Sequence, residues 1–93
     1  MNPVQPSSTN FASVRTPIFT DTLYIQLAQC LQGLVEAILL DEHGTICGRM
    51  ETNVSENEQE VAWKGLNDLP YGIYTLQLQQ GAQEMNMRIV KRV

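Results

Sequence analysis

The amino-acid sequence predicts an all-β domain, an antiparallel β-sandwich of about seven strands. Several segments alternate apolar and polar residues with period two, as half-buried strands do. Turn-forming residues recur at intervals of roughly ten residues, and no helical period lasts beyond a turn or two. The chain has 93 residues, which is enough for one hydrophobic core and too few for two. We therefore expect one compact domain.

Residues 1–16 differ in composition from the rest of the chain. They are rich in Pro, Ser, Thr and Asn and show no apolar period, which is typical of a flexible linker or arm. We expect the folded domain to begin near Pro17 and to cover residues 17–93. The segment Met1–Ser8 lacks the basic and apolar stretches of a secretory signal peptide, so an export signal would lie elsewhere.

Two strands are predicted in the first half of the domain. Leu23, Ile25 and Leu27 alternate with less apolar neighbours, and this strand pattern is interrupted by Gln32-Gly33. The next segment, Leu34–Leu40, carries apolar side chains on both faces. Because an edge or half-exposed strand shows one polar face, this pattern predicts a central strand.

The middle of the chain is predicted to turn and return. Asp41–Gly44 is a turn, since Asp favours the first position of a type I turn and Gly the last. Thr45–Thr52 then pairs with the preceding strand as a hairpin. Asn53–Gln59 is a polar, acidic crossing, and the alternation resumes at Val61. A short helix over Glu56–Trp63 is the alternative.

A hairpin is predicted for the last two strands. Leu69–Gly72 is a turn, and an alternating strand follows over Tyr74–Gln79. Gln80–Gln83 turns the chain again. A further alternating strand covers Met85–Val90.

Charge and hydropathy exclude two classes of function. Ten acidic and six basic residues give a net charge of −4, and the basic residues are scattered apart from Lys91 and Arg92. Nucleic-acid binding needs a concentrated basic footprint. No apolar run approaches the roughly 20 residues that span a bilayer. We expect neither a nucleic-acid partner nor a transmembrane segment.

The residues that could support catalysis form no recognisable motif. His43 is the only histidine and lies in a predicted turn, and no serine lies in a nucleophile elbow. Cys30 and Cys47 fit no zinc pattern and are either two small buried residues or a disulfide pair. We expect no enzyme activity, no catalytic residues, no metal and no cofactor.

Acidic and aromatic side chains are the remaining candidate ligand contacts. The acidic spacings match no calcium loop, so these residues are interpreted as solvated turns and strand edges. They are Asp41, Glu42, Glu51, Glu56, Glu58 and Glu60. Aromatic rings could stack on sugars, with Tyr24 and Tyr71 as the exposed candidates, whereas Trp63 and Tyr74 are predicted to fill the core.

The last third of the chain resembles a known family. The motif is Leu66-x-x-Leu69-Pro70-x-Gly72-Ile73-Tyr74-x-Leu76-x-Leu78, followed by Arg88-Ile89-Val90-Lys91. It resembles the type A C-terminal sorting domain of the Bacteroidetes type IX (Por) secretion system.

Two upstream segments extend this resemblance from about Pro17 to Val93. They are Phe19-x-Asp21-x-Leu23-x-Ile25-x-Leu27, similar to the family's opening strand, and Val35-x-Ala37-x-Leu39-x-Asp41-x-x-Gly44, similar to its next strand and turn. Two positions depart from the family pattern. Thr16-Pro17-Ile18 stands where the family usually has Pro-Asn-Pro, and Arg88 stands where it has the first Lys of Lys-Ile-Val-Lys.

The resemblance implies an immunoglobulin-like sandwich that acts as an address for a larger exported protein. Such cargo passes through the periplasm and crosses the outer membrane to the cell surface or the extracellular space. There a surface sortase usually removes the domain and joins the cargo to anionic lipopolysaccharide. The implied partners are the type IX translocon and the sortase or attachment complex. Some surface components of this machinery retain their domain, so cleavage in the arm and retention both stay open.

The resemblance places the recognition surface near the end of the last strand. Its candidate residues are Gly72, Tyr74, Arg88, Lys91 and Arg92. Gly72 could instead serve the backbone of the turn, and Lys91 could be a solvated strand end. A plain carbohydrate- or protein-binding sandwich is the alternative function. With either function, the edge strands of the domain would allow a weak dimer.

Overall fold

A computed structural model describes residues 11–27, 33–55 and 60–92 as eight strands in two sheets, with no helix in these ranges. The strands are β1 (Ala12–Val14), β2 (Ile18–Phe19), β3 (Leu23–Leu27), β4 (Gly33–Leu40), β5 (Ile46–Val54), β6 (Glu60–Trp63), β7 (Gly72–Gln80) and β8 (Gln83–Lys91). The alternative of a helix is therefore wrong for Glu60–Trp63, and its first four residues lie outside the described ranges.

The two sheets have the strand orders β1-β3-β6 and β2-β8-β7-β4-β5. All neighbours are antiparallel except β2 and β8, which run parallel with Ile18 opposite Val90 and Phe19 opposite Lys91. Early strands thus lie in both sheets, and the short β2 joins the last described strand. This connectivity is of the immunoglobulin-like type. The predicted fold class is confirmed, with eight strands and with one parallel pairing that the sequence did not predict.

The core lies between the inner faces of the two sheets. The largest fully buried side chains are Phe11, Leu23, Ile25, Leu39, Leu76, Leu78 and Ile89. Trp63 of the smaller sheet reaches the larger sheet at Gly48, where a Cβ atom would lie 3.3 Å from the indole ring. The missing side chain at Gly48 therefore leaves room for the indole in the core.

The predicted strands in the middle and end of the chain are present. β4 lies between β5 and β7, which confirms the central position expected for Leu34–Leu40. Its two faces differ: Val35, Ala37 and Leu39 are buried, whereas Leu34 is 49% exposed on the outer face. The predicted hairpins over residues 34–52 and 74–90 both form.

The start of the domain is earlier than expected. Phe11 is fully buried and β1 pairs with β3. Arg15 forms an ion pair with Glu60 at 2.6 Å and lies 4.6 Å from the centre of the Tyr24 ring. Residues 11–16 therefore belong to the sandwich rather than to an arm. One buried aromatic followed by a three-residue strand is too short a pattern to show a period. Residues 1–10 of the predicted arm lie outside the described ranges.

Candidate functional site

An apolar row on the outer face crosses three strands at one end of the larger sheet, with a half-buried Val90 between two exposed isoleucines. Ile73 of β7 lies opposite Val90 of β8, and Val90 lies opposite Ile18 of β2. Because the adjacent residues Phe19, Tyr74 and Ile89 are buried, the alternation of a strand points the row outward. Ile18 and Ile73 are 45% and 44% exposed.

Two arginines extend this row along β8. Arg88 and Arg92 are both exposed, and each lies two residues from Val90, on the same side of the chain. The backbone N–H of Arg92 also donates to the carbonyl of Phe19 at 2.8 Å, which continues the parallel ladder. We call these five residues the chain-end surface: Ile18, Ile73, Arg88, Val90 and Arg92.

Tyr74, a predicted recognition residue, lies inside the domain. It is 4% exposed, and its hydroxyl donates to the carbonyl oxygen of Pro70 at 2.7 Å. Immunoglobulin-like sandwiches contain a comparable tyrosine corner. Burial raises the pKa of the Tyr74 hydroxyl, with smaller contributions from Cys47 and Asp41, so it stays protonated and can donate. The prediction that Tyr74 fills the core is confirmed.

Gly72 is interpreted from the sequence either as a recognition residue or as a backbone residue of the turn, and the structure gives it the backbone role. Its φ is 145°, a conformation that residues with a side chain rarely adopt. It opens β7 opposite Lys91, two residues before Tyr74. Gly72 thus sets the path of the chain into the corner.

Lys91 is in neither of the predicted environments. It is only 3% exposed, because it shares the inward face of β8 with Ile89, and its Nζ donates to the carbonyl of Arg92 at 3.0 Å. A side chain in this position is neither a solvated strand end nor an accessible contact. Of the five predicted recognition residues, Arg88 and Arg92 are therefore the ones that the structure exposes together.

A cleft of about 270 Å³ lies between the β4–β5 turn and the start of β7. Its lining residues are Asp41, Glu42, His43, Cys47, Pro70, Tyr71, Gly72, Ile73 and Tyr74. Asp41 Oδ1 accepts the backbone N–H of His43 at 2.8 Å and of Thr45 at 2.9 Å. The bond from Thr45 is the main cause that lowers the pKa of Asp41. The cleft therefore carries an ionised carboxylate at neutral pH.

Cys47 is a half-buried free thiol on the wall of the cleft. Its Sγ donates to the carbonyl of Thr45 at 3.5 Å. Burial raises the pKa of the thiol, and Asp41 raises it further. A nucleophilic cysteine needs the opposite shift, so this thiol is not activated by its neighbours. The other cysteine, Cys30, lies outside the described residues.

Acidic side chains in the described ranges form no metal cluster. No group of three or more His, Cys, Asp or Glu residues between Phe11 and Arg92, leaving out 28–32 and 56–59, is arranged to hold a metal ion. Glu56 and Glu58 belong to the undescribed part. Nor do the described residues include a helix long and apolar enough to cross a membrane.

The aromatic residues divide as predicted. Trp63 is 7% exposed and belongs to the core, whereas Tyr24 and Tyr71 are 37% and 67% exposed. Tyr24 lies on β3 of the smaller sheet beneath Arg15, and Tyr71 lies in the cleft beside the larger sheet. The two exposed rings are thus on separate parts of the domain and do not belong to one platform.

Comparison with known proteins gives no assignment, since no family model and no curated protein matches the chain.

Of the chain-end surface, the sequence resemblance predicts the two arginines but not the apolar row. Ile73 and Val90 could have been assigned to the outer face from strand alternation. Ile18 joins them only through the parallel pairing of β2 with β8, for which local sequence carries no signal.

Proposed function

We propose that this domain is a non-catalytic sorting module that directs a larger exported protein through the type IX secretion system to the outer-membrane surface. Its partners are the translocon and the surface sortase or attachment complex. Cleavage by the sortase would join the cargo to anionic lipopolysaccharide, and retention of the domain would make it a permanent part of a surface component. The sequence resemblance suggests the family, and the geometry offers a surface for a partner to contact.

The observation that carries the proposal is the chain-end surface. Protein interfaces typically place apolar side chains at their centre, and arginine is enriched there relative to lysine and acidic residues. The row of Ile18, Val90 and Ile73 provides such a centre, flanked by Arg88 and Arg92. A partner that covers these side chains would remove apolar surface from water, which favours association.

The motif that carries the resemblance has a different role in this proposal. Gly72 and Tyr74 hold the corner that starts β7, and Lys91 lies under β8. These residues position Ile73 and Val90 without contacting the partner. Substitutions in the motif would therefore act through folding, and substitutions on the chain-end surface would act through recognition.

The test is to fuse the full 93-residue chain to a passenger protein in a strain with a type IX system. We expect Ile73→Asp to abolish or strongly reduce surface delivery of the passenger, measured by its accessibility to added protease. The matched control is Leu34→Asp. Leu34 is 49% exposed on the same face of the same sheet, at the opposite end of the strand pair, and its variant should be delivered normally.

Thermal unfolding of both purified variants separates recognition from folding. If Ile73→Asp is folded and its passenger reaches the surface as the parent does, the proposed surface is wrong. Arg88→Gln combined with Arg92→Gln tests the basic flank in the same assay, and we expect reduced delivery from a folded domain.

A carbohydrate-binding sandwich is the second candidate, and the cleft favours it. Tyr71 presents a ring that is 67% exposed beside Asp41 and Glu42, and sugars are bound by aromatic faces together with carboxylate acceptors. A glycan array would test it. Binding that is lost in Tyr71→Ala and kept in Tyr24→Ala would support this candidate, and the absence of any glycan signal would exclude it for the sugars tested.

A further inference from the structure

β5 forms a long edge of the larger sheet. It has nine residues, Ile46–Val54, and one of its sides pairs with β4. No strand of the described ranges pairs with its other side. A strand edge presents N–H and C=O groups in the geometry that a further strand would need. At the opposite edge of the sheet, β2 is two residues long and covers β8 only at Val90 and Lys91.

The charges at this edge are unbalanced within one copy of the chain. Glu51 of β5 lies directly opposite Glu36 of β4, and like charges in this position repel each other. Arg49 provides the nearest cation to Glu36, with 3.9 Å between its Nε and Oε2 of Glu36. A second cation beside Glu51, on its open side, would relieve the repulsion.

A second copy of the chain can place a cation there. Two-fold antiparallel pairing of β5 with itself aligns each residue with one position on the other copy. If the axis passes beside Met50, Arg49 of each copy lies opposite Glu51 of the other. If the axis passes beside Arg49 or Glu51, that residue faces its own copy and the charges repel. Of these three registers, charge favours the one about Met50.

The inner face of the strand is compatible with this register. Met50 is partly buried and packs against the core cluster, so it lies on the core side of the sheet. In the register about Met50 the two Met50 side chains meet on that side. An apolar contact below the sheet then accompanies two unlike charge pairs above it.

We propose that the chain forms a two-fold dimer in which the two β5 strands pair antiparallel about Met50, joining the larger sheets into one. The dimer is independent of the proposed sorting role, since it uses the edge opposite β2 and β8. Its partner is a second copy of this chain, chosen by the alternation of Arg49 and Glu51.

Charge reversal tests the register directly. In Arg49→Glu alone, each dimer would oppose two pairs of glutamates, and in Glu51→Arg alone, two pairs of arginines. We expect each variant to dimerise about tenfold more weakly than the parent, in low salt. An equimolar mixture of the two variants restores both unlike pairs and should form a mixed dimer with about the affinity of the parent. Analytical ultracentrifugation over a concentration series measures all three.

The controls separate pairing from folding and from net charge. Lys64→Glu makes the same change in charge as Arg49→Glu at an exposed position after β6, and it should leave dimerisation unchanged. Circular dichroism of each variant shows whether the sandwich is intact. A parent chain that stays monomeric up to its solubility limit overturns the proposal. So does a mixture of folded variants that associates no better than either variant alone.

Discussion

The hydroxyl of Tyr74 and the carbonyl of Pro70 are joined by a 2.7 Å hydrogen bond across the corner where the chain enters β7. The bond ties the buried start of a central strand to a loop residue four positions earlier. Pro70, Gly72 and Tyr74, which carry part of the resemblance to the sorting family, thus have a structural role at this corner.

Replacement of Tyr74 by Phe removes the bond and keeps the ring in the core. We expect Tyr74→Phe to lower the free energy of unfolding by about 1 kcal/mol, the usual net contribution of such a bond. Urea denaturation followed by Trp63 fluorescence measures it. Tyr71→Phe, at an exposed position, is the control and should change stability by less than about 0.5 kcal/mol. Equal stability of parent and Tyr74→Phe would show that the corner does not depend on the bond.

A side chain at Gly48 would meet the ring of Trp63. We expect Gly48→Val to destabilise the domain by about 1 to 3 kcal/mol, because an atom at the Cβ position already lies 3.3 Å from the indole and the ring is buried. Denaturation and the emission maximum of Trp63 report the change. Asn53→Val places the same side chain at an exposed, uncharged position of β5 and should be nearly neutral. A Gly48→Val protein with the stability of the parent would mean that the sheets can move apart here with little loss of free energy of unfolding.

The carboxylate of Asp41 makes the stability of the domain depend on pH in the acid range. Hydrogen bonds from the turn, chiefly that of Thr45, hold the pKa of Asp41 below its ordinary value of 3.8. Asp41 therefore binds a proton more readily in the unfolded chain than in the folded one. The stabilisation by its ionised carboxylate is complete above pH 3.8 and is lost as the pH falls through the folded pKa. We expect the parent to be more stable than Asp41→Asn at neutral pH, with the difference shrinking in acid.

Denaturation of parent and variant between neutral pH and strong acid measures that difference. Glu42→Gln, at the next position of the turn, is the control for the loss of one negative charge. A difference between parent and Asp41→Asn that stays constant with pH would contradict the role given to the ionised carboxylate.

The buried charge of Lys91 should be dispensable for both stability and recognition. A methionine has nearly the same length and no charge to bury. We therefore expect the free energy of unfolding of Lys91→Met to equal or exceed that of the parent, to within about 1 kcal/mol. In the passenger assay this folded variant should still be delivered. Normal stability with loss of delivery would instead show that the lysine is read directly, against its burial.

Sequence reasoning located the strands that are long enough to show a period. β4, β5, β7 and β8 each have eight or nine residues and match the predicted segments. β1 and β2 have three and two residues, and they exist because of partners far along the chain. A local pattern cannot specify such a partner, so the sequence predicts a later beginning of the domain than the structure shows.

The same distinction applies to the site. The exposure of Arg88 follows from alternation along β8, and that alternation also places Lys91 inward with Ile89. The charge of Lys91 suggests an exposed position, whereas its place in the alternation predicts the burial that the structure shows. The chain-end surface and the cleft depend on contacts between separate elements, which require the register of the sheets.

The parallel pairing of Ile18 with Val90 has a consequence for the timing of folding. These residues come from opposite ends of the described chain, and closing so long a loop is slow relative to forming a hairpin. Until β8 arrives, β7 has a bare side and the core lacks Ile89. We expect a chain that emerges amino end first to remain loosely folded until residues 83–91 follow, so that arrival of this last described strand acts as the step that completes the domain.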